Sequence, residues 1–144
     1  MATQSGTLTP TTAPTTTPLA TGGALPRLAL QADGAVCAAL GTTLALGASP
    51  IAAFTGLPLA ATLGLALALI PYGVGLCLRA RRHSDRRLLL TIAALNGVWV
   101  VASGFMLLAG WPALTTGGSW TVGILALVVA DFAALQFYAA RKVG

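Results

Sequence analysis

Charge is what this sequence has least of. Charged residues make up 8% of the 144 positions, with three acids against eight Lys and Arg, where an ordinary soluble domain carries roughly 25%. So little charge cannot keep a chain of this size dissolved, and the 56% hydrophobic content with a mean hydropathy of +0.85 points to lipid as its solvent. Cysteine is scarce too: Cys37 and Cys77 are the only two. Both lie in apolar runs, without CxxC spacing or a neighbouring His to complete a metal site, and they read as small buried hydrophobes. Missing as well are a nucleotide-binding glycine loop, an HExxH, a nucleophile elbow and a haem-binding CxxCH. An autonomous enzyme is therefore the least expected reading, no metal site is expected, and no cofactor can be named.

Residues 1–27 have neither a basic n-region nor an apolar h-region, so they do not read as a signal peptide. Their Thr, Pro, Ala and Gly cannot bury enough apolar surface to order themselves, and a disordered cytoplasmic tail is expected.

What the chain does have is long apolar runs. Four of them, at about residues 33–54, 59–78, 88–110 and 120–140, each approach the ~20 residues needed to cross a bilayer core. They predict an all-α membrane protein, an antiparallel four-helix transmembrane bundle that leaves no room for a soluble catalytic domain. Ser49-Pro50 is expected to kink or stop the first run, Gly56-Leu57-Pro58 to make a tight turn, and Pro71 to free the carbonyl of Leu67.

Charge returns in one place. Arg79, Arg81, Arg82, Arg86 and Arg87 cluster between the second and third runs. If that loop is cytoplasmic and there are four spans, Arg27, Arg141 and Lys142 fall on the same side, and every basic residue lies inside. The pattern predicts a multi-pass protein of a bacterial inner membrane with both termini cytoplasmic, and Trp111 and Trp120 at the opposite headgroup level. In a soluble chain a net charge of +5 would point to nucleic acid. Here anionic lipid headgroups, or an acidic partner, are the expected contacts of the five arginines, and nucleic acid is not. His83, flanked by arginines in a solvated loop, is not expected to bind metal or catalyse.

The polar residues within the runs are the candidate site. An ionised aspartate at a helix centre costs about 2.5–3.5 kcal/mol on insertion scales, so Asp131 asks for an explanation. Measured from the basic ends at 1.5 Å per residue, Asp131 and Cys37 lie roughly 15 Å deep, Asn96 roughly 13 Å, Tyr72 roughly 10 Å and Asp33 roughly 9 Å. This predicts one polar cluster of Asp33, Tyr72, Asn96 and Asp131 in the cytoplasmic half. It would be either a site for a small ligand or protons, or a set of hydrogen bonds that pins helix register. Gln136, about 140° around the helix from Asp131, is expected to stay off that face and to snorkel or meet a second subunit. Asn96 and Ser103, seven apart, should share a face, and Trp99 on much the same side is expected to pack in the core. Small residues at fourfold spacing predict packing stripes: Gly41, Ala45 and Ser49; Ala60, Gly64 and Ala68; Ala93 and Gly97; Ala126, Ala130 and Ala134.

An Asp opening the first span (Asp33), the Gly56-Leu57-Pro58 turn, Ala94 to Trp99 in the third span, Gly110-Trp111 and Gln136 together resemble small four-helix bacterial integral membrane proteins of unknown function. In size and layout the chain is also similar to DoxX-type proteins, some of which are membrane subunits of quinone-linked oxidoreductases. The resemblance covers roughly residues 28–140, rests mostly on packing residues and brings no catalytic residue. The function expected is that of an accessory or interaction subunit of a larger membrane complex. The alternative is a binder or minor transporter of a small hydrophobic molecule such as a quinone, or of protons, through the polar cluster.

Overall fold

The computed structural model describes residues 24–143 apart from Pro112; the tail expected over residues 1–27 lies outside it up to residue 23. Five helices follow in order among the described residues: α1 (Ala24–Leu46), α2 (Ala48–Thr55), α3 (Leu59–Arg82), α4 (Arg86–Leu108) and α5 (Thr116–Lys142). All but α2 are long and apolar enough to cross a membrane. Residues 24–27, expected in the tail, are instead the first turn of α1. Pro26 is tolerated there because a first-turn residue has no helical partner for its missing amide.

The Ser49-Pro50 signal resolves as a break. Pro50 has no amide hydrogen to offer the carbonyl of Leu46, four residues earlier, and α1 ends at Leu46. The chain steps through Gly47 and resumes as α2. Gly56 then stops α2 in the left-handed region (φ 78°), its amide donating to the carbonyl of Ala52 at 2.9 Å. Any Cβ at Gly56 would run into the carbonyl of Ala113, so glycine is required there on two counts.

The long helices alternate in direction and pack as two antiparallel hairpins, α1 with α3 and α4 with α5, joined where α1 also packs on α5. Backbone proximity sets the first hairpin. Gly34 and Gly73 face each other so closely that a Cβ on Gly34 would sit 2.7 Å from the carbonyl oxygen of Gly73, and one on Gly73 would strike the backbone of Gly34 and Ala38. Gly41 packs likewise against Leu69 and Ile70. In lipid, where apolar burial brings no gain, such close approach is a main source of helix association. Of the expected small-residue stripes, the one on α3 points away: Gly64 meets open space and Ala60 and Ala68 are exposed. The buried face of α3 is Thr62, Ala66, Gly73, Leu76 and Ala80. Gly97 of α4 also faces open space.

The two hairpins are tied at both ends. At one end Leu30, Leu76, Ala80, Leu89, Ile92, Ala139 and Ala140 form an apolar plug drawn from all four long helices. Arg27, the arginines from Arg79 to Arg87, Arg141 and Lys142 ring this end, which is called the basic end below. At the opposite end α2 and α5 are stitched together. Thr115 caps α5, its hydroxyl oxygen accepting from the amide of Gly118 while its own hydroxyl donates to the carbonyl of Phe54. Its amide donates to the carbonyl of Thr55 at 3.1 Å. Trp111 and Trp120 stand exposed near this stitch.

Candidate functional site

One turn above the apolar plug, three buried polar side chains from three helices meet. Asp33 of α1 is 2% exposed and Gln136 of α5 is fully buried, with Asn96 of α4 between them. The Gln136 Nε2 donates to Asp33 Oδ2 at 2.7 Å, and Asn96 Nδ2 donates to the same oxygen at 3.0 Å and to Gln136 Oε1 at 3.2 Å. The thiol of Cys37, one turn along α1, reaches the other carboxyl oxygen, Oδ1, at 3.6 Å. The three bonds close a triangle in which the Asp33 carboxyl and both ends of the Gln136 amide find partners, as buried polar groups in a low dielectric require.

The sequence places each member on its helix face. On α4, Leu89, Ile92, Asn96 and Ser103 share the buried face, so Asn96 and Ser103 do lie together as their spacing predicts. Trp99 does not; it is 40% exposed, outside the core position expected for it. On α5 the buried face runs through Gly118, Gln136, Ala139 and Ala140. The alanines one turn beyond Gln136 let the helix come close enough for its amide to reach across.

One expected member of the cluster is elsewhere, and a second, Tyr72, stands near Asp33 and Cys37 without bonding to either. Asp131 is exposed on the outer face of α5, whereas Gln136 takes the inward position that the sequence reading gave to Asp131. The physical reason is the azimuth. Five residues turn a helix through about 140°, so only one of the two can face the bundle. A ruler along the axis measures depth and is blind to that choice. The residue flanked by large side chains, with Leu127, Val128 and Leu135 around it, went to the lipid side. Tyr72 lies against the plug, and its buried hydroxyl has no hydrogen-bond partner among the described residues. Cys77 donates its thiol to the carbonyl of Gln31 at 3.5 Å, helping to seal α1 on α3.

The five loop arginines are all exposed. Arg79, Arg81 and Arg82 close α3, where cations complement the negative end of the helix dipole. Arg86 and Arg87 open α4, where that dipole disfavours them. The helix they begin does not account for them; Asp85 caps it, its Oδ1 accepting from the amide of Leu88 at 3.1 Å. Beside them, a groove at the end of α3 is lined by Gly75, Leu78, Arg79, Arg82 and His83. At the other basic corner Arg141 lies over the ring of Phe137 at 4.5 Å from its centroid, and Lys142 over that of Tyr138 at 5.4 Å.

The outer face of α5 has its own pattern. Trp120, Ile124, Leu127, Asp131, Ala134 and Tyr138 follow at alternating steps of four and three, and all are exposed. At 100° per residue they fall within an arc of roughly 80°. The upper half of this seam borders a shallow groove of about 670 Å³ that also involves Leu114 and Gly123.

Comparison of the chain with protein-family models, curated proteins and solved structures yields no match. Nothing in these comparisons supports the expected likeness to DoxX-type proteins, and what the structure bears out is four helices long and apolar enough to span a membrane.

Proposed function

We propose that the protein is a small accessory or interaction subunit of a larger complex in a bacterial cytoplasmic membrane, with both termini on the cytoplasmic side. The observation that carries this reading is the exposure of Asp131 on α5. Lipid covers an apolar helix face without help, but it cannot solvate an aspartate, whose ionised form costs about 2.5–3.5 kcal/mol at a helix centre. Asp131 lies roughly 15 Å along the axis from Arg141, near the middle of a core about 30 Å thick. Its short side chain cannot snorkel that far. An acid held there by the fold is explained by something outside the fold that meets it.

The inward polar groups support the same reading from the other side. Asp33, Asn96 and Gln136 satisfy one another, which fits a clasp that holds the bundle together better than a site awaiting cargo. The arginines at the start of α4 add an anionic contact at the cytoplasmic surface, supplied by phospholipid headgroups. The test is purification of the tagged full-length protein from its own membrane in gentle detergent, followed by mass spectrometry of what accompanies it. Stoichiometric recovery of another membrane protein is expected; recovery of the chain alone, with only bulk lipid, would defeat the proposal.

One observation favours the second reading, a binder or minor transporter of a small hydrophobic molecule such as a quinone, or of protons. The buried hydroxyl of Tyr72 has no partner among the described residues, and a ligand carbonyl would supply one. Tyr72→Phe would then weaken quinone binding; on the accessory reading it leaves co-purification unchanged.

A further inference from the structure

We infer that the surface which covers Asp131 is a transmembrane helix of a different protein, carrying a lysine or arginine at mid-membrane depth opposite it. The inference rests on the accessory-subunit reading and names the partner's chemistry. Three features of α5 lead to it. The exposed seam from Trp120 to Tyr138 has the alternating four-three spacing with which one helix packs along another. Small residues interrupt it, Gly123 in the adjoining groove and Ala134 one turn below the acid, so a second backbone can approach closely. The one ionisable group in the seam's centre is an acid, and the complement that removes its charge from lipid is a cation.

A second copy of this chain does not provide that cation. Every Lys and Arg of the chain stands at the basic end: Arg27 opens α1, the loop arginines join α3 to α4, and Arg141 and Lys142 close α5. A parallel copy docked through the same seam would oppose Asp131 to Asp131 and bring like charges together. An antiparallel copy would put its basic residues on the side from which cytoplasmic retention excludes them. The lipid headgroups lie too far along the axis to reach the carboxylate. A basic residue on a foreign helix is what remains, and such residues are themselves stable in a membrane only when paired.

The experiment places a photo-crosslinking amino acid at Leu127 or at Ala134, one turn to either side of Asp131, in the full-length protein expressed in its own membrane. The cross-linked peptide is expected to come from a hydrophobic helix of another protein with a Lys or Arg within one turn of the attachment point. Asp131→Asn should lower the yield roughly tenfold. Asp131→Lys should abolish it, and changing the partner's basic residue to Asp should restore it. Cross-linking to a second copy of this chain would overturn the inference. So would attachment to a helix without a basic residue, or a yield indifferent to Asp131→Asn; in these cases a partner that still co-purifies leaves the accessory reading standing. If neither position captures protein and nothing co-purifies, both fall together.

Discussion

Replacing Gln136 by leucine tests whether the buried triad holds the two hairpins together. The side chains are similar in volume, so the change removes polar bonds with little cavity formation. Two interhelical bonds disappear, one to Asp33 at 2.7 Å and one from Asn96 at 3.2 Å, while the bond from Asn96 to Asp33 survives and leaves neither residue wholly unpaired. Interhelical hydrogen bonds in membrane proteins average about 0.6 kcal/mol and reach about 1.7 kcal/mol. The expected loss is thus roughly 1–3 kcal/mol, read as a lower SDS fraction at the unfolding midpoint in mixed micelles, followed by helical circular dichroism. Asp131→Leu on the same helix is the control. It removes an exposed acid and should leave the midpoint unchanged or raise it. A Gln136→Leu variant as stable as wild type, beside a destabilised Asp131→Leu, would show that α5 faces the bundle the other way round and would refute the site described above. Combining Gln136→Leu with Asn96→Leu should cost less than the sum of the two, because the pair shares one bond.

Gly73→Leu should destabilise the bundle by about 1–3 kcal/mol or more, since no side chain fits between Gly73 and the backbone of α1; Gly64→Leu on the opposite face of α3 should be nearly silent in the same assay. Thr115→Ala should cost about 1 kcal/mol through loss of the α5 cap, and loss of its bond to Phe54 should quicken amide hydrogen exchange at the α2–α5 stitch while exchange at the basic-end plug stays slow. Tyr72→Phe removes a buried hydroxyl that has no partner among the described residues, so the bundle should unfold at a higher SDS fraction, by a margin within the roughly 1–3 kcal/mol such an orphan costs.

The helices were legible because the membrane leaves few options. Backbone groups in hydrocarbon must be satisfied within the segment, so a long apolar run between turn residues is a helix, and the Gly56-Leu57-Pro58 turn and the Pro50 break follow from dihedral preference and a missing amide. Helix ends were less legible. α3 continues through Arg82 and α5 through Lys142, because a helix persists into the headgroup layer after its apolar run stops. Facing was the least legible part. In a soluble helix an apolar stripe marks the inside, but lipid accepts the same side chains as the core, and the periodic signal is erased. The polar residues retained most of the information about facing. Asp33 and Asn96 could be placed on depth and spacing, while Gln136 and Asp131 required a choice. A clue was present in the alanines at 139 and 140, which grant close approach on the side of Gln136, against the leucines and valine around Asp131.

The position of those two residues on one helix also explains why the fold tolerates an acid facing lipid. Bringing Asp131 inside would require turning α5 by about 140°. That rotation would break both bonds of Gln136, withdraw Ala139 and Ala140 from the plug, and unstitch the Thr115 cap from α2. These interactions act at separate points along the helix and in the same sense, so they hold its azimuth jointly. Gln136 therefore secures the inside and, by the same geometry, commits Asp131 to the outside. An inert bundle would gain by having leucine at 131. On the proposed partner reading, the acid at 131 is matched at the outer face of α5 by chemistry the chain does not itself contain.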